Sequence, residues 1–149
     1  MSYNFKPSNS RFGATDVVNV AEIDAVEAVR DLTDGGVHYS FEAIGLKVTT
    51  EQAWKMLKAG GCATIIGMIP VGTTIDIHGP EFLREKKIQG SNMGSNRFRI
   101  DMPRFVDFYL SDRLHLDDMI SGHMSLSDIN DGFAALETGK VARNVIMFD

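Results

Sequence analysis

The sequence is poor in most of the residues that announce a specialised chemistry. It holds one cysteine, Cys62, in 149 residues, which excludes an intrachain disulfide and any cysteine-rich zinc site built from this chain alone. Its four histidines, His38, His78, His115 and His123, show neither H-x-x-x-H nor H-E-x-x-H spacing, so no metal site is expected. No apolar run approaches the ~18 residues of a membrane-spanning helix. The opening segment, MSYNFKPSNSRFG, lacks the apolar stretch of a secretory signal. Basic charge is also short: 15 Lys and Arg stand against 20 Asp and Glu, a formal charge of -5. With the two signs interspersed, a phosphate-tracking nucleic-acid surface is excluded, and neither Lys86-Lys87 nor Arg84, Arg97, Arg99 and Arg104 changes that. A soluble cytoplasmic protein with no nucleic-acid or membrane partner is the expectation. The most telling absence is of the phosphate-binding fingerprint G-x-G-x-x-G, which occurs nowhere in the chain.

What is present alternates strand and helix signals in the order that an open parallel sheet requires. With 44% hydrophobic residues, the chain suffices for one ordinary core. Residues 1–10 read as an irregular leader. Thr15 to Val20 has the β-branched density of a strand, and Ile23, Val26, Val29 and Leu32 recur at helical spacing up to a stop at Gly35-Gly36. Val37 to Ala43 is again strand-like. Thr49 to Gln52 offers a capping box for a helix carrying Ala53, Trp54, Met56 and Leu57, with Gly60-Gly61 as its end. Cys62 to Gly67 is almost wholly apolar, the pattern of a strand covered on both faces by helices.

Beyond Pro70, Thr74 to His78 alternates polar and apolar residues, as a half-exposed strand does. A short helix from Gly79-Pro80-Glu81 and a strand from Lys87 to Ser91 follow. After a turn-rich connection, Asp101 can cap a helix to Leu110 with Pro103 in its first turn. Ser125 or Ser127 can cap another that carries Ile129, Phe133 and Leu136 to Gly139, and Val145 to Phe148 reads as a closing strand.

The strings Phe41-Glu42-Ala43-Ile44-Gly45, Ile65 to Pro70, Lys87-Ile88-Gln89-Gly90-Ser91 and Ile129 to Lys140, in this order and spacing, resemble the C-terminal portion of the zinc-dependent medium-chain alcohol dehydrogenases. The class III-like and bacterial nicotinoprotein-like branches are the most similar. The resemblance runs from about residue 11 to the end. It implies an α/β fold, an incomplete Rossmann-like parallel sheet flanked by helices and lacking the first strands and the glycine loop. Residues 11–98 would form a partial dinucleotide-binding domain, and residues 99–149 the C-terminal helices and strand. By the same resemblance, Ala43, Ile44 and Gly45 border the adenosine half of NAD, and Ile66, Gly67 and Met68 run beside the nicotinamide. Ser91, Asn92 and Met93 lend backbone groups to the carboxamide, and Arg143 pairs with the pyrophosphate. Thr74 to His78 corresponds to an edge strand through which two coenzyme domains pair.

The departures from the family pattern carry as much weight. The segments holding the family's zinc ligands, proton relay, glycine fingerprint and ribose-gripping acid have no counterpart in the sequence. The resemblance therefore implies weak NAD or NADP binding, no zinc, and no alcohol oxidation by this chain alone. It leaves three roles open: a dehydrogenase portion that self-associates, a subunit completed by a second dehydrogenase chain, and a non-catalytic nucleotide-binding or oligomerisation module. Plainer readings stand beside these. Gly67 and Gly90 can be strand-end glycines where backbones approach closely, and Arg143 a solvated charge. Cys62 reads as an inert core thiol. Asp117-Asp118, Glu22, Asp24 and Glu27 read as solvated faces and caps.

Overall fold

The computed structural model describes residues 12–139 and 141–148. The expected leader at 1–10 lies outside them, as does Lys140. The described residues fall into two compact units: Glu22–Asn96, and the segments flanking it on either side.

The Glu22–Asn96 unit is a three-stranded parallel sheet with its helices. Helix α1 (Ala25–Leu32) begins where Asp24 accepts hydrogen bonds from the amides of Val26 (2.8 Å) and Glu27 (2.9 Å), satisfying donors that the first turn leaves free. Three successive residues with positive φ, Asp34, Gly35 and Gly36, turn the chain into β1 (Val37–Glu42). Helix α2 (Lys47–Lys55) and strand β2 (Leu57–Ile65) follow, then a 3₁₀ turn at Gly79–Arg84 and strand β3 (Lys87–Gly90). The strand order is β1-β2-β3, parallel throughout, and strands of one direction need the crossovers that α2 and residues 66–86 provide.

The core lies between α2 and the sheet. Ala53, Trp54, Leu57 and Ala63 are buried together, with Val37, Ile77 and Ile88 packed against them. Ser40 Oγ donates to the Ala53 carbonyl at 2.8 Å, so the alternate residues Tyr39 and Phe41 face the other way. They are 71% and 68% exposed. Helices were expected on both faces of the strand at 62–67; α2 covers one, and on the other Tyr39 and Phe41 of β1 are exposed while Thr64 of β2, in register with Phe41, is buried.

Trp54 is held by polar contacts as well. Its Nε1 donates to Glu81 Oε2 at 2.7 Å, and Lys86 Nζ donates to Glu81 Oε1 at 2.8 Å. Lys86, 4% exposed, also lies over the Trp54 ring, 5.3 Å from its centre, so its charge is both paired and stacked. The Lys86 hydrogen bond, against some opposition from burial and with help from Trp54, holds the Glu81 carboxyl below its ordinary range.

The flanking unit carries helix α3 (Phe98–Leu110), strand β4 (Gly122–Met124), helix α4 (Ile129–Glu137) and strand β5 (Asn144–Ile146), with β4 and β5 parallel. Gly132 of α4 lies against the Met124 side chain, so close that a Cβ there would meet Sδ at 2.7 Å. A reciprocal capping box between Ser125 and Asp128 starts the turn into α4, as the serine signal suggested.

Several elements differ from the sequence reading. Residues 15–20 form no strand, since no described strand lies alongside to take up their backbone groups, and β-branched density alone does not supply a ladder. The helix expected from Thr49 begins two residues earlier, with Leu46 at the N-cap position; the Thr49 hydroxyl instead donates to Glu42. Gly60-Gly61 does not end a helix but lies inside β2. There, the two steps from Val37 to Tyr39 oppose the five from Leu57 to Cys62, a wide bulge with Gly60 at φ +76°. Thr74 to His78 has no strand partner among the described residues. Its main chain is strapped to α2 by Lys47 Nζ on the Thr74 carbonyl (2.9 Å) and by the Asp76 amide on Glu51 (2.9 Å). Its exposure still alternates, with Ile75 and Ile77 turned inward. Helix α3 begins at Phe98, so Asp101 accepts from the Arg97 amide (2.7 Å) from within the first turns, and Pro103 sits past them. Strand β4 was not foreseen.

Candidate functional site

The register brings the ends of all three strands of the sheet into line. Glu42 pairs with Ile65, and Ile65 with Gly90, so residues 43–45, 66–68 and 91–93 leave the carboxyl edge side by side. This edge is where open parallel sheets accept ligands, because the loops diverge there and the crossovers leave a crevice. Nine of the ten expected site residues are thus brought together. Arg143, the tenth, belongs to the flanking unit. It is exposed just before β5, and its backbone rather than its side chain is engaged, the carbonyl accepting from the Ser121 amide at 2.7 Å.

The first two loops interlock through glycine. Gly45, at φ +89°, approaches the Met68 backbone so closely that a Cβ would meet the Met68 carbonyl oxygen at 2.6 Å. A Cβ on Gly67 would collide with the Gly45 amide nitrogen and come within 2.5 Å of Glu42 Oε2. Both positions therefore require glycine on packing grounds. Gly90 has nothing within 4 Å of its would-be Cβ, so close approach does not explain it.

Glu42 organises the crossing. Its backbone carbonyl accepts from the amides of Ile66 (2.7 Å) and Gly67 (3.0 Å). Its side-chain Oε1 accepts from the amides of Ile44 (2.9 Å) and Gly45 (2.8 Å) and from Thr49 Oγ1 (2.7 Å). Burial pushes its carboxyl up, but the hydrogen bonds from Thr49 and from the amides of Gly45, Ile44 and Leu46 outweigh that and hold it below the ordinary glutamate value. In the sequence, Glu42 stands out only as part of the string Phe41 to Gly45. No local pattern singles it out, since β1 mixes apolar and polar residues and the loop its carbonyl meets lies far along the chain.

The third loop is tethered by the Ser91 amide on the Ile65 carbonyl (2.8 Å). Met93, Gly94 and Ser95 all have positive φ, at 49°, 72° and 54°, an uncommon conformation for the two non-glycine residues. The rim is apolar and open: Ile44, Leu46, Ile66, Met68 and Met93 are all exposed. Cys62 is half-buried within β2, short of the edge. Among the described residues no three His, Cys, Asp or Glu side chains converge as metal ligands, and no helix is long and apolar enough to cross a membrane.

Three parallel strand ends with an apolar, exposed rim lie along this edge, and the sequence profile of one family covers all three. The profile of the zinc-binding dehydrogenases matches residues 8–111. The chain belongs to that family. Alcohol dehydrogenase-like 2 of Arabidopsis thaliana is 37% identical over 143 residues, and the class-3 alcohol dehydrogenase of Cereibacter sphaeroides is 32% identical over 153. The alignments cover 93% and 96% of this chain but only 37% and 40% of those proteins. The crystal structure of benzyl alcohol dehydrogenase from Acinetobacter calcoaceticus superposes with a TM-score of 0.88 at 26% identity, covering 94% of this chain and 39% of that one. The fold is thus a Rossmann-like portion of the alcohol dehydrogenase architecture, and the chain spans about two fifths of the length of these relatives.

Proposed function

We propose that this chain forms the distal part of the coenzyme site of an alcohol-dehydrogenase-type oxidoreductase and does not oxidise alcohols on its own. One observation carries the reading: three strand-end loops converge at the carboxyl edge while the sequence contains no G-x-G-x-x-G. The apolar rim and the interlocked glycines fit the flank of a nicotinamide cofactor, NAD or NADP, with Ile44, Ile66 and Met68 against it and the Ser91–Met93 backbone toward its carboxamide. Arg143, in the flanking unit, carries an exposed guanidinium of the kind that matches paired phosphate oxygens. When bound, the cofactor supplies a hydride acceptor; these residues hold and orient it. A single arginine does not replace the converging amides of a glycine-loop helix, so binding is weak, and without zinc ligands nothing polarises an alcohol oxygen.

A second reading is favoured by the exposed Tyr39 and Phe41 and by the outer edge of β1, which pairs with no strand among the described residues. Another dehydrogenase chain could complete the sheet there, or copies of this chain could associate, with Thr74 to His78 as a further edge. Titration of NADH into the purified chain by calorimetry, with turnover of a primary alcohol measured alongside, tests the main reading. We expect dissociation in the millimolar range and no turnover; micromolar binding, or alcohol-dependent NADH formation, would refute it.

A further inference from the structure

Glu42 ends β1 with a carboxylate that is 3% exposed. Oε1 gathers two amides and the Thr49 hydroxyl, whereas Oε2 has no hydrogen-bond partner among the described residues and lies beside Gly67. A buried ionised group with an idle oxygen is costly, and such groups are rare unless something is gained by holding them. What Glu42 occupies suggests the gain. The helix that follows, α2, has no side-chain cap, and the amides entering it converge with its positive end on the place where an anion is stable. The carbonyl of the same residue takes the two amides of the neighbouring loop.

We propose that Glu42 is a positioning residue: its carboxylate is a built-in anion at the entrance to α2 that fixes residues 43–46 against residues 66–68 and keeps a ligand's anionic groups away from that helix. The ligand consequence rests on the cofactor reading above. A nicotinamide cofactor would lay its uncharged sugar and ring portions along these loops, with its phosphates elsewhere.

Replacing Glu42 by alanine removes a group with the shape and charge of acetate. For Glu42→Ala, sodium acetate should raise Tm saturably where sodium chloride at equal ionic strength does not, and should move the Ile44 and Gly45 amide resonances toward their wild-type positions. Wild-type protein should show neither response. Glu42→Gln keeps the shape and loses the charge, and its Ile44 and Gly45 amides should exchange about tenfold faster, since a charge-assisted hydrogen bond is roughly twice as strong as a neutral one. Acetate acting no better than chloride, or unchanged exchange in Glu42→Gln, would overturn the proposal. If Glu42→Ala does not fold with or without acetate, the glutamine variant decides. NADH titrated into the same samples separates the two readings. Wild type that fails to bind sinks the cofactor reading while the acetate response still judges Glu42. Wild type that binds no better than Glu42→Ala, with or without acetate, shows that Glu42 positions nothing for the ligand.

Discussion

At the scale of single residues, the glycines separate into those that packing demands and those it does not. Gly67→Ala forces a methyl group against the Gly45 amide and Glu42 Oε2 and should cost about 1–3 kcal/mol, as overpacking does. Gly90→Ala, with open space around it, should lie within about 0.5 kcal/mol of wild type. Urea midpoints for the pair test the contrast; equal midpoints would remove the interlock as an explanation of Gly67. The plain reading of Gly67 as a close-approach glycine thus has a geometric basis, whereas for Gly90 it has none. Glu42 was illegible in the sequence because its role depends on a loop 24 positions later returning to meet it, which no local pattern encodes. Its titration has a definite sign. The folded carboxyl lies below the ordinary value of 4.5, so its contribution is complete above that value and is lost as pH falls through the lower folded value. Stability measured from pH 7 down to pH 3 should therefore drop more steeply for wild type than for Glu42→Gln; parallel curves would show that Glu42 does not drive the acid limb.

At the scale of elements, periodicity read helices better than it read their ends. The spacing of Ile23, Val26, Val29 and Leu32 located α1, and Asp24 does cap it, so Asp24→Ala should cost roughly 1 kcal/mol, visible as a lower thermal midpoint. An unchanged midpoint would show that the cap hydrogen bonds are matched by water. The errors share a cause: each signal was local, and the structure decided it by something distant. Gly60-Gly61 resembles a helix stop, but the chain has already entered β2, and the glycines take up the surplus length against β1. Thr74 to His78 alternates as a strand should, and its inward isoleucines follow that pattern, yet a ladder requires a second chain segment alongside. Strand β4, three residues including a glycine and a histidine, carries too little signal to be seen, whereas β5, of the same length, is announced by the apolar run from Val145.

At the scale of the whole molecule, the family resemblance read from four strings was correct, and the parallel order of β1, β2 and β3 follows the alternation of strand and helix signals. Surface that sequence could not apportion is where the molecule is least self-sufficient. Tyr39 and Phe41 stand exposed on β1, and α3 exposes Phe98, Ile100, Met102 and Leu110, more apolar surface than isolated soluble chains commonly present. Light scattering should therefore give a mass above the 16.4 kDa of one chain, and Phe41→Lys should lower it without lowering the denaturation midpoint. A monomer at all concentrations would argue that these side chains are covered in some other way.

The chain has one tryptophan, Trp54, 1% exposed and gripped by Glu81, Lys86 and Phe82. That places the one tryptophan, which can be excited selectively over the three tyrosines, wholly inside the Glu22–Asn96 unit. Its emission should be blue-shifted in the native protein and should move to the red only when that unit opens, whereas far-ultraviolet circular dichroism sums the helices of both units. Superimposed melts from the two signals would mean that the units unfold together; separate melts would assign an order of unfolding without a label or a substitution.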